Sequence, residues 1–198
     1  MTRLHLIRHA PTPETGKRLT GRLPGVGLAD PGRAAAEAAA ELLAQVSLAA
    51  VYTSPVRRCR ETARIVAARH GLRPIPYRGL IEVDYGSWTG RTIGSLRRTR
   101  IWRTVIAAPS RARFPGGERL ADVQARAIAA CEELAEVHPT SNLALVSHGD
   151  IIKSIVAHYL GAPLDLFNRI AIDPASVSVV ELPPGGPPRI LGVNRRAS

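Results

Sequence analysis

Aromatic side chains are scarce in this chain: four Tyr, two Phe and two Trp among 198 residues. So few rings leave little platform for stacking nucleobases, which argues against a single-strand nucleic-acid binder. Cysteine is scarcer still. Cys59 lies in an arginine-rich segment and Cys131 in an alanine-rich one, without metal-type spacing, so neither a zinc site nor a disulfide framework is suggested. No apolar run approaches the roughly 20 residues that span a bilayer. Met1 leads directly into a strand-like segment, without the basic and apolar regions of a secretory signal, so the expectation is a cytoplasmic protein with no membrane partner. Lysine is nearly missing: Lys17 and Lys153 stand against 25 arginines, and the formal net charge is +11. Such a charge points to anionic partners, although an Arg, Ala, Gly and Pro preference also fits a coding bias that says nothing of partners. Between Gly90 and Gly117 acidic residues are absent, while Arg91, Arg97, Arg98, Arg100, Arg103, Arg111 and Arg113 are present.

With 45% hydrophobic and 22% charged residues, the chain can bury a substantial core, and one domain over 1–198 is expected. Its periodicity alternates. Leu4 to Arg8 reads as a strand, Pro31 to Val46 as a helix with proline in its first turn, and Ala49 to Thr53 as a strand. Ser54 suits an N-cap for a helix running to about His70, with Gly71 as its stop. A short strand interrupted by prolines follows from Leu72 to Tyr77, then helical potential from Ile93 to Ile106 within the least regular stretch. Arg119 to His138 is a helix, Asn142 to Ser147 a strand, and Ile151 to Leu160 a helix closed by Gly161. Val177 to Leu182 and Arg189 to Val193 form a closing pair of strands around a Pro- and Gly-rich turn. The expected class is α/β, a three-layer sandwich with a mostly parallel central sheet flanked by helices.

Two of these strands end on a histidine: Leu6-Ile7-Arg8-His9 and Val146-Ser147-His148-Gly149. Ligands of parallel sheets bind beyond the carboxyl ends of the strands, so both histidines fall on the functional edge. Arg8 adds a cationic fork suited to phosphate, and a neutral imidazole is a competent nucleophile toward phosphorus. Arg58, about one turn into a helix from Ser54, can reach back over an N-terminus that already favours an anion. Arg57, Arg60 and Arg64 read as solvated or paired with Glu61, and His5, His70, His138 and His158 as packed or helix-end residues.

Five blocks in order now stand out: Leu6-Ile7-Arg8-His9, Thr53-Ser54-Pro55-Val56-Arg57-Arg58-Cys59-Arg60-Glu61-Thr62-Ala63, Leu80 to Gly90, Gly116-Gly117-Glu118 and Val146-Ser147-His148-Gly149. Together they resemble the successive signatures of the histidine phosphatase superfamily, which includes cofactor-dependent phosphoglycerate mutases and small phosphatases. The segment Thr20 to Val26 is similar to a variant in actinobacterial members labelled phosphomutases. The resemblance implies a phosphoglycerate mutase-like fold and assigns His9 as nucleophile, Glu82 as acid and then base, and Arg8, Arg58 and His148 as the phosphate pocket. Thr15, Gly21 and Gly149 are further candidates for a phosphate or leaving-group contact, while Asp84 and Asp150 are given supporting or capping roles. No metal and no cofactor is implied, and the partner is a small phosphorylated metabolite. Two departures stand out: Ala10 where the family has glycine after the nucleophile, and Thr15 where it has asparagine.

A metal-dependent phosphoesterase is the rival enzyme, since His9, Glu82, His148 and Asp150 are ligand types; Arg8 and Arg58 in the same pocket argue against it. An arginine-rich nucleic-acid binder on a phosphatase scaffold is the rival from another class. Between hydrolysis and phosphoryl transfer to a second metabolite, the short segment after Gly90 favours hydrolysis, because a mutase must exclude water. Residues 90 to 117 are expected to form a lid or rim whose arginines face the entrance.

Overall fold

The computed structural model describes residues 1–197. Chain order is β1 (Thr2–Arg8), α1 (Asp30–Leu42), β2 (Leu48–Thr53), α2 (Arg57–Ala68), β3 (Ile75–Pro76), α3 (Ile93–Leu96), α4 (Arg100–Ala107), α5 (Leu120–Val137), β4 (Asn142–Ser147), α6 (Gly149–Tyr159), β5 (Val177–Leu182) and β6 (Arg189–Arg195). The sheet runs β3-β2-β4-β1-β5-β6. The pairs β1 with β4, β4 with β2 and β2 with β3 are parallel, and β5 and β6 close the other edge antiparallel.

Alternation along the inner strands explains the three layers. Leu4, Leu6, Leu143 and Leu145 face a core shared with α5 and α6, while Ile7, Val51, Ala144 and Val146 face one shared with α1 and α2. Strands apolar on both faces must be covered twice, and side chains that alternate across the sheet divide them between the two coverings. The centre of the sheet is thereby fixed, and with it the edge where β1, β2 and β4 end.

Several boundaries differ from the sequence reading, each for a local reason. Helix α2 begins at Arg57 with Val56 as an extended N-cap, not at Ser54. Ser54 precedes a proline, which disfavours helical geometry, and its hydroxyl is committed to His148 at 2.8 Å. Strand β3 shrinks to two exposed residues, because Pro74 and Pro76 cannot donate to a ladder. The Ile93 to Ile106 helix is two helices, since Thr99 accepts from the Trp102 amide and caps a fresh start. Helix α1 ends at Leu42, with turns carrying the chain to Val46, and α6 starts two residues early, at Gly149.

Candidate active site

Strand β1 carries Arg8 and ends beside His9, whose amide donates to the Ser147 carbonyl of β4 at 2.9 Å. Strand β4 delivers His148 as the N-cap of α6, and the His9 and His148 rings meet edge to face with centroids 5.4 Å apart. Helix α2 brings in Arg58, 1% exposed, and the loop after Leu80 brings Glu82. The structure therefore gathers His9, Arg8, Arg58, Glu82 and His148 at one sheet edge, where Arg8, His9 and Glu82 line a cavity of about 210 Å³ and Arg58 and His148 are buried beside them.

Tautomers follow from the partners. A carbonyl oxygen only accepts, so His9 Nδ1 carries its proton toward Ala10 O at 2.9 Å, leaving a lone pair on Nε2. Burial and then the Arg58 charge hold the His9 imidazole well below its ordinary pKa, hence neutral. The same two causes keep His148 neutral. Guanidinium only donates, so His148 Nδ1 accepts from Arg58 Nη2 at 2.8 Å while its Nε2–H donates to Ser54 Oγ. Cys59 Sγ lies 3.4 Å from that nitrogen, and burial pushes its thiol up to about 12, so it is no thiolate.

Glu82 is pushed up to about 7, chiefly by burial and against the opposing charge of Arg58, with Asp150 adding to the rise. Its Oε2 lies 3.5 Å from Arg58 Nη2 and 3.4 Å from His148 Nδ1. Such a carboxyl can give a proton and take one back near neutrality.

The guanidiniums are incompletely paired. Arg58 uses one nitrogen for Gly21 O and His148, whereas its Nε and Nη1 are buried without a partner. Arg8 spends Nη1 on Ile172 O, and its Nε is likewise buried and unpaired. Buried donors without acceptors are costly, and Arg8 Nε lies at the start of α6, where the helix N-terminus also favours an anion.

The remaining candidates divide. Gly149 lies against Arg8: a Cβ there would stand 3.3 Å from its Nε, so the bare backbone lets the guanidinium settle at the helix start. Gly21 lines the cavity, has φ +51° and gives its carbonyl to Arg58, so it orients the arginine. Thr15 also lines the cavity, but its Oγ1 accepts from the Thr12 amide at 2.9 Å and holds the loop. Ala10 is buried among Leu28, Ala36 and Ala39, outside the left-handed region, which is why a methyl group is accepted there. Asp84 caps the Gly86 amide, and Asp150 accepts from the Tyr85 hydroxyl at 2.8 Å. Of the segment 90 to 117 only Ile93 lines the cavity; the seven arginines are exposed and none reaches it.

Other residues at the site were not singled out by sequence: Tyr85, Glu14 and Arg18 on the cavity wall, and Arg22 and Arg126, which both donate to the Glu82 carbonyl. Arg22 sits next to Gly21 in a recognisable block, but nothing local distinguishes Arg126 among 25 arginines.

Residues 4–195 match the model of the histidine phosphatase superfamily (branch 1). The chain belongs to that superfamily. Among histidine phosphatase relatives it is 30% identical to phosphoserine phosphatase 1 of Hydrogenobacter thermophilus, over 92% of this chain and 87% of that protein. It is 32% identical to an acid phosphatase of Mycobacterium tuberculosis, over 89% and 85% respectively. The solved structure of Bacillus stearothermophilus YhfR superposes with a TM-score of 0.90 at 30% identity, covering 97% of this chain and 96% of that one. Fold and family thus agree with the resemblance carried by the five sequence blocks. No helix among the described residues is long and apolar enough to cross a membrane.

Proposed function

We propose that this histidine phosphatase hydrolyses small phosphomonoesters through a phosphohistidine on His9. The observation that carries the proposal is the set of buried, unpaired guanidinium donors on Arg8 and Arg58 around a neutral His9 with a free Nε2 lone pair. In the first step that lone pair forms an N–P bond as the P–O bond to the leaving group breaks. The departing oxygen keeps the electron pair and takes the proton of Glu82. In the second step water forms a new P–O bond, the N–P bond breaks, and the Glu82 carboxylate takes the water proton. Arg8, Arg58 and the start of α6 stabilise charge on the equatorial oxygens in both steps, preorganised electrostatics being the main lever in phosphoryl transfer.

A cavity of about 210 Å³ suits a small phosphorylated metabolite, in keeping with relatives named for phosphoserine and for acid phosphatase activity. Hydrolysis is favoured over transfer to a second metabolite because the segment after Gly90 is short and contributes only Ile93 to the cavity wall. The same reading takes 1–198 as one domain, with residues 90 to 117 at its variable rim. Purified protein is expected to release phosphate from p-nitrophenyl phosphate in the presence of EDTA, with His9→Ala abolishing release. Loss of activity on chelation, restored by a divalent metal, would replace this mechanism with a metal-assisted one.

A further inference from the structure

The Gly116-Gly117-Glu118 turn has no part in the chemistry above and does not line the cavity. Its carboxylate lies between two guanidiniums instead. Glu118 Oε2 accepts from Arg22 Nη2 at 2.9 Å and Arg126 Nη2 at 3.2 Å, and Oε1 accepts from Arg126 Nε at 3.1 Å. Both arginines also converge on one main-chain atom, the carbonyl oxygen of Glu82: Arg22 Nε donates to it at 2.8 Å and Arg126 Nη2 at 3.2 Å. Glu118 Oε2 further accepts from the Asp84 amide at 2.8 Å. One carboxylate and two arginines thus hold the main chain at Glu82 and again at Asp84 through charge-assisted hydrogen bonds, the stronger kind.

Close backbone contact makes this possible. A Cβ on Gly117 would stand 2.2 Å from Asp84 O, and one on Gly86 would stand 2.1 Å from Pro115 O, so the two turns lie directly against each other. The amides of Ser87 and Glu118 donate across the join to Pro115 O and Asp84 O, at 2.9 Å each. Partial burial acts to raise the Glu118 pKa, but hydrogen bonds from Arg126 and the Asp84 amide bring it below the ordinary range, so the clamp is charged.

The Glu82 carboxyl itself is held lightly: Oε1 accepts from the Val83 amide at 3.0 Å, and Oε2 is 3.5 Å from Arg58 Nη2 and 3.4 Å from the neutral His148. Its placement therefore depends on its main chain. We propose that Glu118, acting through Arg22 and Arg126, is a positioning residue that sets the Glu82 carboxyl against the leaving-group oxygen. The proposal rests on the reading of Glu82 as the proton donor. Loosening the clamp would impair proton transfer while leaving His9 and its phosphate pocket in place.

The test compares Glu118→Gln, Arg22→Met and Glu82→Gln on an alkyl phosphomonoester, β-glycerophosphate, and on p-nitrophenyl phosphate, whose leaving group needs no proton. Glu118→Gln and Arg22→Met should lower kcat/KM on the alkyl ester by up to about 100-fold, the scale of a small misplacement of a reacting group. On the aryl ester the loss should stay within about threefold, because a positioned acid matters little to a good leaving group. In the Glu82→Gln background, Glu118→Gln should cost no more than about twofold further, since residues acting through one group are non-additive. Arg22 is one-third exposed, so Arg22→Met carries the comparison if Glu118→Gln does not fold. Equal losses on both esters, or a full further loss in the Glu82→Gln background, would overturn the positioning role. If Glu82→Gln alone lacks the ester dependence, the acid assignment fails and the proposal falls with it; if only the clamp variants lack it, the clamp alone falls.

Discussion

At the scale of single residues, the proposed mechanism turns on Glu82. A carboxyl next to Arg58 would ordinarily be held ionised, yet burial outweighs the neighbouring charge and raises it to about 7. The proposed first step needs the protonated carboxyl, so kcat/KM on an alkyl ester should fall as pH rises through about 7, and much less on an aryl ester. Glu82→Gln should cost about 100- to 10,000-fold on the alkyl ester, the usual worth of a positioned acid. Matching pH profiles for the two esters in steady-state kinetics would count against the assignment. Arg8, His9, Arg58, Glu82 and His148 were legible in the sequence because strand ends and short blocks fix their places locally. Arg126 was not: its partners Glu118 and Glu82 are 8 and 44 residues away, and such pairing exists only once α5 packs against the loop. Ser54 shows the opposite error, where a plausible cap was taken by a residue 94 positions on.

Among the elements, the apolar strands and long helices follow their periodicity, and misreadings collect where prolines, threonines and loops compete. The turn at 114 to 118 has no periodic pattern, yet it fixes the loop bearing Glu82. Gly117→Ala would place a methyl group 2.2 Å from Asp84 O, a contact that backbone cannot relieve cheaply. The substitution should destabilise by about 1–3 kcal/mol, the usual cost of overpacking, measured as a lower urea midpoint with an unchanged slope. Gly116→Ala is the useful contrast: no atom lies within 4 Å of its Cβ, so only its φ of +69° opposes the change.

Across the whole molecule, the parallel half of the sheet brings β1 and β4 side by side, so that two histidines 139 positions apart in sequence meet edge to face. The +11 charge is a broader feature: the seven arginines of residues 90 to 117 are exposed and outside the cavity, so their influence on a substrate is a screened field reaching about 8 Å at physiological salt. The proposed function stands or falls on a covalent N–P bond to His9. Rapid acid-free quenching of the enzyme with p-nitrophenyl phosphate, followed by mass spectrometry of its peptides, tests this directly, with Glu82→Gln used to slow the hydrolytic step. The expected result is an acid-labile phosphoryl group on His9 that decays with the second phase of turnover. Active enzyme bearing no phosphoryl group on His9, or one that forms and decays too slowly to carry turnover, would contradict it.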